Sequence, residues 1–168
     1  MTLPASGSDQ PWEGNLWCTP GTKTYVFFNM GEMIPPPYQW RDYKGALHQA
    51  RDQVKDHLMN NQDGSIPDKG YWSTQPAGTN IKISVINAKG QLTYGILGSA
   101  LTGLSQFIDV GYNHDRNPIV FQVNDGAWGE VGIGYVGMVD PTDASCTYSQ
   151  GGGKRWDCAD VIAGKVIE

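Results

Sequence analysis

Two amphipathic helical stretches, interleaved with β-branched and aromatic runs and followed by a hairpin signal, predict an α+β fold. The expected form is a two-layer α/β sandwich: a mainly antiparallel sheet of four to five strands with two helices on one face. Lys23-Thr24-Tyr25-Val26-Phe27-Phe28-Asn29 is dense in strand-forming side chains and is read as the first strand. The triple proline Pro35-Pro36-Pro37 then enforces an extended connector. Tyr43, Ala46, Leu47, Ala50, Val54 and Leu58 recur at steps of three and four, placing one apolar face on a helix over about residues 42–60, with Asp42 as its expected N-cap. A loop is expected from there to about Gly78, carrying Tyr71 and Trp72.

Residues 80–87 alternate Ile81, Ile83 and Val85 with Lys82 and Ser84, a half-buried strand closed by a turn at Asn87-Ala88-Lys89-Gly90. Thr93 is placed to cap a second helix, with Leu92 and Leu97 as its hydrophobic staple and Leu97, Ala100, Leu101, Leu104, Phe107 and Ile108 as its stripe. Gly95, Gly98 and Gly103 would each cost an exposed helix up to about 1 kcal/mol, so a close approach to the sheet is expected there. Ile119–Val123 and Gly129–Val139 flank Asn124-Asp125-Gly126-Ala127, a hairpin. Gly132 and Gly134 share one face of its second strand, open to a helix or a flat ligand. Val161–Ile167 is a candidate edge strand. The chain reads as a single domain over 1–168: an irregular arm over 1–21, an α/β core over 22–139, and a Gly-rich loop with a C-terminal segment over 140–168.

The 168 residues carry 17% charged side chains and a net charge of −5, with 22 Gly, 6 Trp and 8 Tyr. Low charge excludes disorder by self-repulsion, and the scattered Lys and Arg form no basic stripe, so no nucleic-acid partner is expected. The least charged stretch, 90–108, is too polar to span a bilayer, and no transmembrane segment is expected. Few Lys and Glu beside much Gly, Thr, Ser and Trp point to a secreted, extracellular protein. Met1–Ser8 have neither the basic nor the apolar region of a signal peptide, so, if the protein is secreted, this sequence is expected to be its mature chain.

Cys18, Cys146 and Cys158 fit no zinc spacing, and neither a metal nor a cofactor is expected. They fit one disulfide. Joining Cys146 to Cys158 closes a short loop worth about 3 kcal/mol, whereas joining Cys18 to either closes one of over a hundred residues worth about 5. A bond from Cys18 to the C-terminal segment would anchor both tails, so that pairing is favoured while the connectivity stays open.

Gly90-Gln91-Leu92-Thr93-Tyr94-Gly95-Ile96-Leu97, then Ala100-Leu101-Thr102-Gly103-Leu104 and Phe107, then Asn124-Asp125-Gly126 with Glu130-Val131-Gly132-Ile133-Gly134, resembles a pattern in small secreted fungal proteins of effector type. The resemblance covers roughly residues 80–138 and rests on packing residues. It implies location and fold and carries over no catalytic residue.

Candidate chemistry is sparse. His48 and Asp52 stand four apart on the first helix, the spacing of an Asp-oriented imidazole or of an exposed helical pair. His57 borders the apolar stripe. Asn61, Asp63 and Asp68 faintly resemble a calcium loop without its final acid. The 112–117 loop gathers Tyr112, Asn113, His114 and Asp115. Aromatics in expected loops, namely Trp40, Tyr71, Trp72 and Trp128, suit stacking on sugars or anchoring a protein. The first expectation is therefore a non-enzymatic, effector-type or virulence protein that binds a host protein or cell-wall polysaccharide through Tyr71, Trp72, Trp128, Tyr112 and Asn113. The alternatives are a small hydrolase of glycan or RNA using His114, Asp115, Glu130 and Asp125, or a toxin-like protein.

Overall fold

The computed structural model describes residues 15–33, 40–66, 70–78, 81–87, 90–109, 116–138, 147–150 and 154–157. In chain order they form β1 (Asn15–Cys18), β2 (Thr24–Met33), α1 (Trp40–Asn60), β3 (Tyr71–Thr74), β4 (Ile81–Asn87), α2 (Tyr94–Asp109), β5 (Arg116–Asp125), β6 (Gly129–Met138), β7 (Thr147–Gln150) and β8 (Lys154–Asp157). The fold is α+β, with an antiparallel sheet of order β1-β2-β5-β6-β4-β3.

The sheet has six strands instead of four or five, because each edge gains a short strand from a stretch expected to be irregular. The arm supplies β1, whose Trp17 pairs with Val26, and the loop after α1 supplies β3, whose Trp72 pairs with Val85. Four-residue edges carry little alternation of their own, and their neighbours decide them. The Gly-rich tail contributes β7 and β8, a separate antiparallel ribbon on either side of the glycine run. Val161–Ile167 lie outside the described residues.

Register explains the glycine face of β6. Phe28, Phe121, Gly134, Val85 and Trp72 are successive cross-strand partners on the helix side. A Cβ at Gly134 would run into the Phe121 ring, and one at Gly132 would stand 3.1 Å from the Ile86 carbonyl and 3.2 Å from Leu92 Cδ2. That face is filled by Phe121 and by the start of α2, leaving no flat site.

Helix α1 begins at Trp40, which moves Asp42 from the expected cap into the first turn, where a negative charge still suits the helix dipole. Its buried face is Tyr43, Ala46, Leu47, Ala50 and Val54, as the spacing predicts. For α2 the expected cap holds: Thr93 Oγ1 accepts the Ile96 N–H at 3.3 Å, and Leu92 and Leu97 are fully buried on either side. The Gly95 N–H donates to Asp63 Oδ1 at 2.8 Å and the Tyr94 N–H to the Gly64 carbonyl at 3.0 Å, so the loop after α1 completes the cap. Asp63 thus serves α2, and Asp68 of the faint calcium pattern lies outside the described residues.

The two helices lie antiparallel. His57 near the end of α1 stacks on Tyr94 at the start of α2, with ring centroids 3.7 Å apart, while Lys44 and His48 meet Asp109 at the other end. The glycines of α2 face three different neighbours, only one of them in the sheet. Added Cβ atoms would meet Asp63 Oδ2 at 2.5 Å from Gly95, Val54 Cγ1 at 3.2 Å from Gly98, and Thr19 Oγ1 at 2.5 Å and Trp17 Cδ1 at 3.4 Å from Gly103. Gly45 in α1 has open space around it. Gly45→Ala should accordingly raise stability by about 0.5–1 kcal/mol through unfolded-state entropy, whereas Gly134→Ala should lower it by about 1–3 kcal/mol through overpacking against Phe121; urea denaturation of both variants measures the opposite signs.

Candidate functional site

A cleft of about 480 Å³ opens between the two helices and the turn that joins β1 to β2. Its size lies within the usual range for small-ligand sites. Gly95, Gly98, Ser99 and Thr102 of α2 form one side, Arg51, Asp52, Lys55 and Leu58 of α1 the other, and Thr19, Pro20 and Thr22 close the end. Local sequence dictates this shape. The apolar stripe of α2 turns to the core, so its small and hydroxylated residues, at steps of three and four, turn outward together.

Every hydroxyl of the cleft spends its proton on the main chain. Thr19 Oγ1 donates to the Ser99 carbonyl (2.7 Å), Thr22 Oγ1 to the Thr19 carbonyl (2.9 Å), Ser99 Oγ to the Gly95 carbonyl (3.0 Å) and Thr102 Oγ1 to the Gly98 carbonyl (2.8 Å). A hydroxyl has one proton and two lone pairs, so the half-buried Ser99 and Thr102 can meet a ligand only as acceptors, whereas Thr19 is buried and Thr22 Oγ1 already accepts the Thr24 N–H at 3.1 Å. Donors come from the opposite rim. Arg51 bonds its neighbour Asp52 only weakly, Nε to Oδ1 at 3.3 Å, and Lys55 forms no ion pair among the described residues. One wall therefore accepts hydrogen bonds, the other donates them with positive charge, and Leu58 adds an apolar surface.

At the same end of the sheet stands the β5–β6 hairpin. The Gly126 N–H donates to the Lys23 carbonyl at 2.9 Å, tying the hairpin to the β1–β2 turn. Asp125 organises the tip: Oδ1 accepts the Ala127 N–H at 2.8 Å, its carbonyl accepts the Trp128 N–H at 3.1 Å, and Gly129 closes the loop at φ +73°. This is a turn followed by a left-handed glycine, a rigid three-residue connection. It holds Trp128 57% exposed to solvent.

The other expected residues are dispersed. Tyr71 and Trp72 lie in β3, not in a loop, and their side chains alternate: Trp72 packs against the core, while Lys82 Nζ stands 5.8 Å above the Tyr71 ring. Trp40 opens α1. His48 turns away from Asp52, its Nε2 lying 3.3 Å from Asp109 Oδ1, and Asp52 meets Arg51 instead. Glu130 Oε2 accepts the Gln122 Nε2–H at 2.7 Å, and buried Gln122 and Asn124 bond each other. Asp125 and Glu130 thus brace the hairpin. Tyr112, Asn113, His114 and Asp115 lie outside the described residues, as do Cys146 and Cys158.

Cys18 is a free thiol here, and both of its expected partners, Cys146 and Cys158, lie outside the described residues. The anchor of the N-terminal strand is packing: Trp17 meets Phe107 edge-on at 5.7 Å and Thr19 bonds Ser99 across eighty residues. Burial raises the pKa of Cys18 above its ordinary 9.0 and keeps it protonated. Burial, followed by the charge Cys18 acquires once it ionises at alkaline pH and by the Asp125 carboxylate, raises that of Tyr25.

Asp109 sits at the C-terminus of α2, where a negative charge opposes the dipole. Burial pushes its carboxyl upward, but hydrogen bonds from Lys44 (3.0 Å) and His48 and their charges outweigh that and hold it below 3.8. The cleft residues Arg51, Lys55, Ser99 and Thr102 escaped the sequence reading. Their signal was present as two polar helix faces, but nothing in either segment says that those faces meet.

Comparison of the chain with protein-family models, with curated proteins and with solved structures returns no match. Among the described residues no helix is long and apolar enough to cross a membrane.

Two outcomes follow from these groups. Because the folded-state pKa of Asp109 is depressed, its contribution is present above about pH 4 and fades as the pH falls through that depressed value. Asp109→Asn should cost less than about 1 kcal/mol at pH 7, less again in high salt, and progressively less as the solution is acidified, as thermal melts from neutral to acid pH would read out. Alkylation of the unfolded, unreduced chain should label Cys18, and a peptide map lacking that adduct would contradict the free thiol.

Proposed function

We propose that this chain is a secreted, non-enzymatic binding protein of effector type whose ligand is a cell-wall glycan, gripped by the interhelical cleft and by Trp128. The observation that carries the reading is the pairing of an acceptor-lined cleft with an exposed indole held rigidly on a neighbouring turn. Sugars offer ring faces that stack on aromatics and hydroxyl protons that seek acceptors, and the site supplies both. A cleft of this volume suits a few sugar units better than the broad, flat surface of a host protein. A hydrolytic role would ask a hydroxyl or carboxylate to be activated by a base, whereas the cleft hydroxyls are committed to helix carbonyls, and Asp125 and Glu130 to the hairpin.

Sedimentation with insoluble chitin, cellulose, β-glucan and pectin tests the proposal. The wild-type chain should partition with at least one of these, and Trp128→Ala should weaken that binding about tenfold or more with an unchanged melting temperature. Retention of full affinity by Trp128→Ala and Ser99→Val together would remove the proposed surface.

A further inference from the structure

We infer that the glycan is acidic: the cleft is built for a saccharide bearing a carboxylate, with Arg51 and Lys55 receiving the acid group while the Ser/Thr wall receives hydroxyls. This rests on the glycan-binding reading and specifies its ligand.

The argument starts from charge. The chain as a whole carries −5, yet two cations line this cleft against a single acid, Asp52. Arg51 and Lys55 are one helical turn apart on α1, where like charges repel. Asp52 offsets that repulsion poorly: its side chain is 62% exposed and it reaches Arg51 only through Nε at 3.3 Å. The guanidinium carries five N–H donors and this contact uses one of them. A carboxylate seated between the two side chains would relieve the repulsion and accept from both.

The opposite wall sets the rest of the ligand. Ser99 and Thr102 present lone pairs, which repel an anion and attract hydroxyl protons. A bare inorganic anion satisfies only the cationic rim, and a neutral sugar only the hydroxyl wall. A uronic acid unit has the hydroxyls and the acid on one ring and addresses both walls at once. Leu58 offers a patch for the C–H face of that ring.

Calorimetric titration of the full chain with oligogalacturonate, its fully methyl-esterified form and a neutral cello-oligosaccharide tests the assignment. The acid should bind about tenfold or more tightly than its ester, and rising NaCl should weaken the acid alone. Arg51→Gln and Lys55→Gln should each remove most of that preference, with the melting temperature unchanged. Equal affinity for acid and ester, lost in Trp128→Ala, would overturn the acidic ligand while leaving glycan binding standing. Failure of all three saccharides to bind would overturn the acidic ligand, and failure to sediment with any of the four polysaccharides as well would overturn both. A heparin-type sulfated oligosaccharide is a fourth arm: tighter binding of sulfate than of carboxylate would overturn the uronate assignment in favour of sulfated sugars.

Discussion

Close approach of α2 to its neighbours is the constraint on which the rest of the structure depends. Three glycines let that helix touch Asp63 of the preceding loop, Val54 and Leu58 of α1, and Trp17 and Thr19 of the first edge strand and its turn. Each contact recruits a different piece of chain. Asp63 caps the helix, Gly98 sets the spacing between the helices, and Gly103 admits the Thr19 hydroxyl that bonds the Ser99 carbonyl. A larger side chain at any of the three would push α2 outward, and the cleft bounded by those same neighbours would lose its depth. The intrinsic helix cost of glycine is small beside the packing that its absent Cβ permits.

The sheet answers the same demand from below. Phe121 lies across the space above Gly134, and Phe107 of α2 meets Phe28 at 4.4 Å and Trp17 at 5.7 Å, forming an aromatic seam between helix and strands. Ring contacts of this kind add to burial through their edge-to-face geometry. They also do the work that a disulfide from Cys18 was expected to do, since they tie β1 to the opposite layer. The thiol is left free beside Tyr25, protonated by burial.

Polarity is separated with similar economy. Acidic groups of the hairpin and of α2 are engaged: Asp125 and Glu130 brace the turn, Asp63 caps a helix, and Asp109 is held by Lys44 and His48. The cations of the cleft rim are far less engaged, and the hydroxyls across from them show lone pairs. This division leaves Arg51 and Lys55 beside a single acid, Asp52, in the cleft, and the proposed ligand chemistry rests on it.

Much of this was legible from the chain alone. Period determined both helices and their buried faces, Thr93 and the Leu92/Leu97 staple located the start of α2, and Asp125-Gly126 located the hairpin, because each depends on neighbours within a few residues. Asp52 beside His48 misled, since one turn of helix brings two side chains within reach without saying which way a second helix pulls each. Edge strands β1 and β3 were hidden because four residues acquire strand geometry only from the strand they join. The partners of Gly95, Gly98 and Gly103, the burial of Trp72 against the exposure of Trp128, and the meeting of Arg51 and Lys55 with Ser99 and Thr102 belonged to tertiary structure. Short-range torsional and hydrophobic preferences are written residue by residue, whereas a cavity exists only where surfaces from distant segments fail to touch.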